Sequence, residues 1–316
     1  MDMSSKFGFT AAFILAIAFP ISIVCQPVKQ ATKAFRAVTI VSEPATTVWI
    51  DGVNRGKTDK MGRLDINTVP VGAHTLRLRA DGFKEKTHSL TATQKGELKF
   101  ALTKTTDPAD LAYQEAERLA FSDRDQSAAA YRRAIKARAA YPEAYIGLAR
   151  VLAEMGDLDE AKSAIVAARR LRPGYAEASA VEGRIQKESG EETRAIAAFK
   201  RAITEGKGFQ PEAYAGLGLL YKEKAEGAGG AGDFDDEDLN YAEAAKNLKI
   251  SLKQLSGAPD TMVIYQLLGL IYERQKLYKE AIGIYEEFLS IFPNVPEATA
   301  VRSFIVQIKK DMQPMQ

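Results

Sequence analysis

Three groups of residues in this 316-residue chain have the types that do chemistry. The first, Gly52-Val53-Asn54-Arg55-Gly56-Lys57-Thr58, has the glycines, lysine and hydroxyl of a phosphate-binding loop. Such a loop needs four residues between its glycines and a helix behind it, so that backbone N–H groups converge on the phosphates. Here three residues intervene and another turn and strand follow, so the segment reads as a hairpin loop. The second group is His74 and His88, the only histidines. With no partner cysteine and no acidic pair at ligand spacing, they read as surface or strand positions and not as metal ligands or acid–base groups. The third is the acidic run Asp233, Asp235, Asp236, Glu237 and Asp238, whose oxygens suit calcium. It lacks the D-x-D-x-D-G order and a bidentate glutamate at the twelfth position. It reads as a solvated insertion, residues 225–240, Gly-rich and then acidic. No hydrolase or transferase motif is found, and neither cofactor nor metal is implied.

The elements around these groups carry a stronger signal. From Pro142 onward a helical-hairpin pattern returns about every 34 residues, starting at Pro142, Ala176, Pro211 and Met262. In register, the first helix of each copy places a small residue at the crossing, Ala149, Gly183, Gly218 and Gly269, and the second supplies Ala161, Ala195, Ala244 and Ala281. Large residues fill the gaps: Tyr145, Tyr214 and Tyr265, then Ile165, Phe199, Leu248 and Tyr285. Met155-Gly156-Asp157 and Glu188-Ser189-Gly190 make turns, and Pro173 and Pro293 stop helices. This agreement resembles the tetratricopeptide repeat family. A looser copy spans Pro108 to Tyr141, after the cap Asp107, and Pro296 through Lys310 reads as a capping helix.

Before the repeats the period falls to two. Val38-Ile40, Val48-Ile50, Leu76-Leu78-Ala80 and Leu98-Phe100-Leu102 alternate with polar neighbours, and glycine turns separate them. Five or six short strands in some 65 residues predict a small β-sandwich. SEPATTVWIDGVNRGKT followed by VPVGAHTLRLRADGFKEKT resembles the PEGA domain, through Pro44, Val48 to Gly52, Gly56-Lys57-Thr58, Val71 to His74 and Asp81-Gly82-Phe83. Ala45 and Thr46 stand where that family has Gly and Ala. The expected fold is therefore multidomain, β then all-α: a PEGA-like sandwich over residues 37–103, then a right-handed tetratricopeptide solenoid over 108–295 and a cap over 296–312. Residues 26–36 and 104–107 are linkers, the second short enough for the two parts to pack end to end.

Residues 1–25 read as a signal peptide or membrane anchor: Phe7 to Val24 is almost wholly apolar and Cys25, the only cysteine, follows it. Cleavage near Cys25, lipidation of Cys25 and retention as an anchor are the three fates. Each implies export to the cell envelope, periplasmic or membrane-anchored, and the resemblance to PEGA implies an envelope module without catalytic residues. A net charge of +2 without a basic tract predicts no nucleic-acid binding.

The resemblance to tetratricopeptide proteins implies a concave groove lined by exposed positions of the first helices. Those positions hold Ile146, Arg150, Arg184, Lys187, Leu219 and Lys222, with Ala180 and Ala215 between. Four cations among small apolar residues suit an acidic or C-terminal peptide. The expected function is a non-enzymatic protein-interaction scaffold of the bacterial cell envelope. The alternative is a structural cell-wall or surface-layer component whose β-sandwich binds glycan.

Overall fold

The structure, a computed structural model, describes residues 35–312, so Cys25 and the apolar N-terminal segment lie outside the described residues. Seven strands come first: β1 (Phe35–Val41), β2 (Thr47–Ile50), β3 (Val53–Lys57), β4 (Arg63–Pro70), β5 (His74–Arg79), β6 (Lys86–Leu90) and β7 (Gly96–Lys99). They form two sheets, ordered β4-β1-β7 and β3-β2-β5-β6. The pairs are antiparallel except β1 with β7. Alternation sends Val38, Ile40, Val48, Ile50, Leu76 and Leu78 into the space between the sheets. Seven strands exceed the five or six expected. The extra pairing comes from β3, whose Asn54, Arg55 and Gly56 carry turn propensities that pairing with β2 overrides.

The turn before β2 keeps a glycine-like backbone without its glycine. Ala45 sits at φ +59, its N–H donating to the Thr58 carbonyl at 3.1 Å, and the Thr46 hydroxyl donates to the Glu43 carbonyl at 2.6 Å. Left-handed backbone costs a non-glycine residue about 1–2 kcal/mol, partly offset because alanine has less unfolded-state entropy to lose. Ala45→Gly is expected to stabilise the chain by about 0.5 kcal/mol, read as a higher urea midpoint; a lower midpoint would mean the turn carries no strain.

The helices follow as five hairpins and a cap. They are α1 (Pro108–Leu119) with α2 (Arg124–Ala137), α3 (Pro142–Met155) with α4 (Leu158–Leu171), and α5 (Ala176–Glu188) with α6 (Glu192–Glu205). Then come α7 (Pro211–Ala231) with α8 (Phe234–Leu255), α9 (Thr261–Arg274) with α10 (Tyr278–Ile291), and α11 (Glu297–Asp311). Asp107 and Asp123 cap α1 and α2 by accepting backbone N–H bonds, and Gly156 closes α3 in the left-handed region. The small residues work as expected at the crossings. A Cβ on Gly183 would lie 2.6 Å from Phe199, one on Gly218 2.6 Å from Leu248, and one on Gly269 2.2 Å from Tyr285.

The insertion at 225–240 is corrected by the structure. It is helical and not a loop, although most of its residues stay exposed: α7 and α8 extend to 21 and 22 residues and turn at Gly232-Asp233. Asp233 accepts the Asp236 N–H as N-cap, and acidic side chains in the first turn of α8 complement the positive pole there. Gly229 lets α8 approach, since a Cβ on it would lie 2.6 Å from the Glu237 carboxyl group. Glu237 itself is buried and receives the Arg274 Nε–H at 2.8 Å. Gly229 is thus the contact point between the two long helices, while Gly227 and Gly230 face open space.

Candidate interaction chamber

Strand alternation that buries Val48, Ile50, Leu76 and Leu78 must push Trp49, Arg77 and Arg79 out of the opposite face of the β3-β2-β5-β6 sheet. That face is turned to the first helices of the repeats. Between them lies a cavity of about 800 Å³. Its sandwich wall includes Trp49, Val53 and Arg77, and its helical wall includes Tyr131, Ile146, Arg150, Leu219 and Leu267. Arg77 and Arg79 lie over the Trp49 ring, 4.4 and 5.0 Å from its centroid.

The sandwich is held on either side of this space. At α1, Arg79 pairs with Glu117 and lies 4.7 Å over the Tyr113 ring. Beside it Gln114 accepts the Gly82 N–H and donates to the Phe83 carbonyl, both at 2.8 Å. At the far end Arg55 Nη1 donates to the Leu255 and Ser256 carbonyls, each at 2.9 Å. These are the carbonyls of the last residue and the C-cap of α8, at the negative pole of the helix, and that of Leu255 also accepts the Ala258 N–H at 3.2 Å. Arg55 is 7% exposed and its Nε finds no partner among the described residues. Burial pushes its pKa down to about 10, with Asp51 opposing.

The expected groove residues divide. Ile146, Arg150 and Leu219 line the chamber; Arg184, Lys187 and Lys222 are not part of its lining. Nor is the wall a free basic surface. Arg150 is bidentate to Glu212 at 2.6 and 2.5 Å and reaches Glu177 at 3.2 Å. Lys187 pairs with Glu223 at 2.8 Å and Lys222 with Glu226 at 2.6 Å. Arg184 has a buried Nη2 with no partner among the described residues, and its charge acts on Glu212. Stacking sets carboxylates of later helices beside Arg150 and Lys187, and Lys222 pairs one turn along its own helix, so three of the four expected cations already have carboxylate partners.

Catalytic geometry is not assembled from the histidines. His74 Nδ1 lies 2.6 Å from Asp51 Oδ2 and Nε2 lies 2.8 Å from the Pro70 carbonyl, so both ring nitrogens are engaged in bracing a turn. His88 packs edge-on against Phe100. Among the described residues no group of three or more His, Cys, Asp or Glu is placed to hold a metal ion.

The family model of the tetratricopeptide repeat matches residues 117–161, 146–211 and 237–296, and that of the PEGA domain matches 35–106. The chain is a PEGA domain joined to tetratricopeptide repeats. The repeat matches pause over 212–236, where α7 and α8 outgrow their counterparts. Among solved structures it resembles yeast Tom70, at 16% identity and TM-score 0.50 over 64% of this chain and 40% of that one. It also resembles a thermophilic TPR protein of Thermus thermophilus, at 19% identity and TM-score 0.46 over 64% and 99%. The MamA protein matches at 21% and 0.41 over 62% and 96%. At such identities the likeness concerns the fold. A search of curated proteins finds no match. Tetratricopeptide repeats are protein-interaction scaffolds, which stack into extended concave binding surfaces.

Two working parts of the chamber went unread in the sequence. Trp49 with Arg77 and Arg79 was accessible to strand alternation, which sets an aromatic and two cations on one outward face. Arg55 gave no signal, because its partners are backbone carbonyls some 200 residues later.

Proposed function

We propose that this protein is a non-catalytic scaffold of the bacterial cell envelope that holds an extended segment of a partner protein between its PEGA domain and its repeats. The observation that carries this reading is the chamber itself. A volume of about 800 Å³ falls within the range of ligand pockets, roughly 300–1,000 Å³, and suits a chain segment, not a folded domain. Its helical wall offers Leu219, Val263 and Leu267 to apolar side chains, with Val263 58% exposed. An acidic segment would have to displace Glu212 and Glu177 from Arg150, so apolar side chains supply the affinity and charge the selectivity. The envelope assignment rests on the apolar N-terminal segment ending at Cys25 and on the PEGA domain.

Photo-crosslinking in cells of the source organism tests both parts. A photoreactive phenylalanine analogue at Leu219 or Val263 is expected to capture the same partner. The same probe at Val166, 59% exposed on α4 and outside the chamber lining, is expected to capture none. Equal capture at all three positions removes the chamber from the function. Recovery of the protein in the cytosolic fraction removes the envelope.

A further inference from the structure

The two ends of the sandwich are held unequally. At α1 the chain is covalently continuous through residues 103–107, and Arg79 and Gln114 add an ion pair, a ring contact and two hydrogen bonds. Thr105 reinforces this end, its N–H donating to the Gly82 carbonyl at 2.9 Å and its hydroxyl to Asp110 at 3.2 Å. The far end rests on Arg55 and on Thr68 of β4 against Gly257, where a Cβ would meet Thr68 Cγ2 at 3.1 Å. Among the described residues Arg55 makes no ion pair, Asp51 acting on it only at a distance, and its Nε–H is buried without an acceptor. A buried charge held only by carbonyls is offset poorly against its lost hydration. The contact is specific in geometry, and lost hydration offsets part of what its two charge-assisted bonds contribute.

We propose that the PEGA domain is the movable wall of the binding site, hinged at residues 103–107 and latched by Arg55 on the C-terminus of α8, so that a partner segment enters from the α8–α9 side and is then held against Trp49 and Arg77. This rests on the chamber being the binding site. The sandwich residues thereby become determinants of specificity, and Arg55 becomes a positioning residue that touches no ligand.

Trp49 is the only tryptophan of the chain and reports the position of the wall without any ligand. Acrylamide quenching of the full chain is the measurement. Arg55→Met keeps the stem and removes the guanidinium; it is expected to raise the quenching constant at least about twofold by populating the open state. Thr68→Cys with Gly257→Cys, in a Cys25→Ser background, is the converse. A Cβ added at Gly257, whose φ is +71, would lie 3.3 Å from that of Thr68, slightly inside the 3.5–4.5 Å of a disulfide. Oxidation is expected to hold quenching at or below the wild-type value even with Arg55→Met present, and reduction to release it. Circular dichroism melts establish that each variant is folded. Quenching of folded Arg55→Met equal to wild type overturns the latch, as does a disulfide that fails to suppress the increase. No peptide enters this experiment, so its failure leaves the chamber assignment to the crosslinking test.

Discussion

Gly269→Leu is expected to lower the thermal midpoint by about 6–12 °C, from a destabilisation of about 3 kcal/mol spread over a domain of this size. The added Cβ alone would stand 2.2 Å from Tyr285 Cζ. That ring cannot retreat: Tyr285 is 1% exposed, its hydroxyl donates to Glu273 at 2.6 Å, and Phe304 packs against it. Relief must come from separating α9 and α10, which disrupts the core they share with α11. Since each repeat depends on its neighbours, the C-terminal cap loosens with it. Gly269→Ala gains helix propensity and retains part of the clash, so its midpoint falls between the two. Melts followed at 222 nm check the order; a Leu variant within about 2 °C of wild type would mean the crossing is slack.

Arg150→Met is expected to cost about 2–4 kcal/mol, below the 3–5 typical for a fully buried pair because the Arg150 and Glu212 side chains keep 28% and 32% exposure. Two carboxylates, Glu212 and Glu177, lose their counter-ion, and only the half-exposed Glu177 is readily rehydrated. Adding Glu212→Leu is expected to recover much of the loss. The pH dependence follows from the same pair. Burial raises the Glu212 pKa, but Arg150 outweighs it, and the net effect holds the carboxyl below its ordinary 4.5. A lowered folded pKa gives stability that is complete above 4.5 and is lost as pH falls through the folded value. Wild type should therefore lose urea resistance below pH 4.5 more steeply than Arg150→Met. Parallel loss in both proteins would remove this pair as a source of acid sensitivity.

Much of the fold was legible because its rules are local. The repeat period set Gly183, Gly218 and Gly269 against large side chains before any helix was seen, and α3, α5 and α7 begin at Pro142, Ala176 and Pro211 as read. The strands at Val38, Val48 and Leu76 follow from alternation. The failures share one physical cause. A glycine-rich acidic run looks like a loop unless the helix that packs on Gly229 is known. A cation on a repeat looks free unless the glutamate of the next repeat is placed. Arg55 looks like a turn residue because its partners are far in sequence. Each depends on who the neighbour is, which residue spacing does not encode.

The bond from Arg55 to the end of α8 has a mechanical meaning. A free stack of hairpins behaves as a spring, extended by small changes at every joint and carrying load only from each unit to the next. A strut between α1 and the α8–α9 corner shunts that load across four hairpins at once. Pulling on the two ends of the chain should therefore meet a stiff response first, then a sudden yield when one guanidinium leaves two carbonyls, and the soft stretch of the repeats only after that.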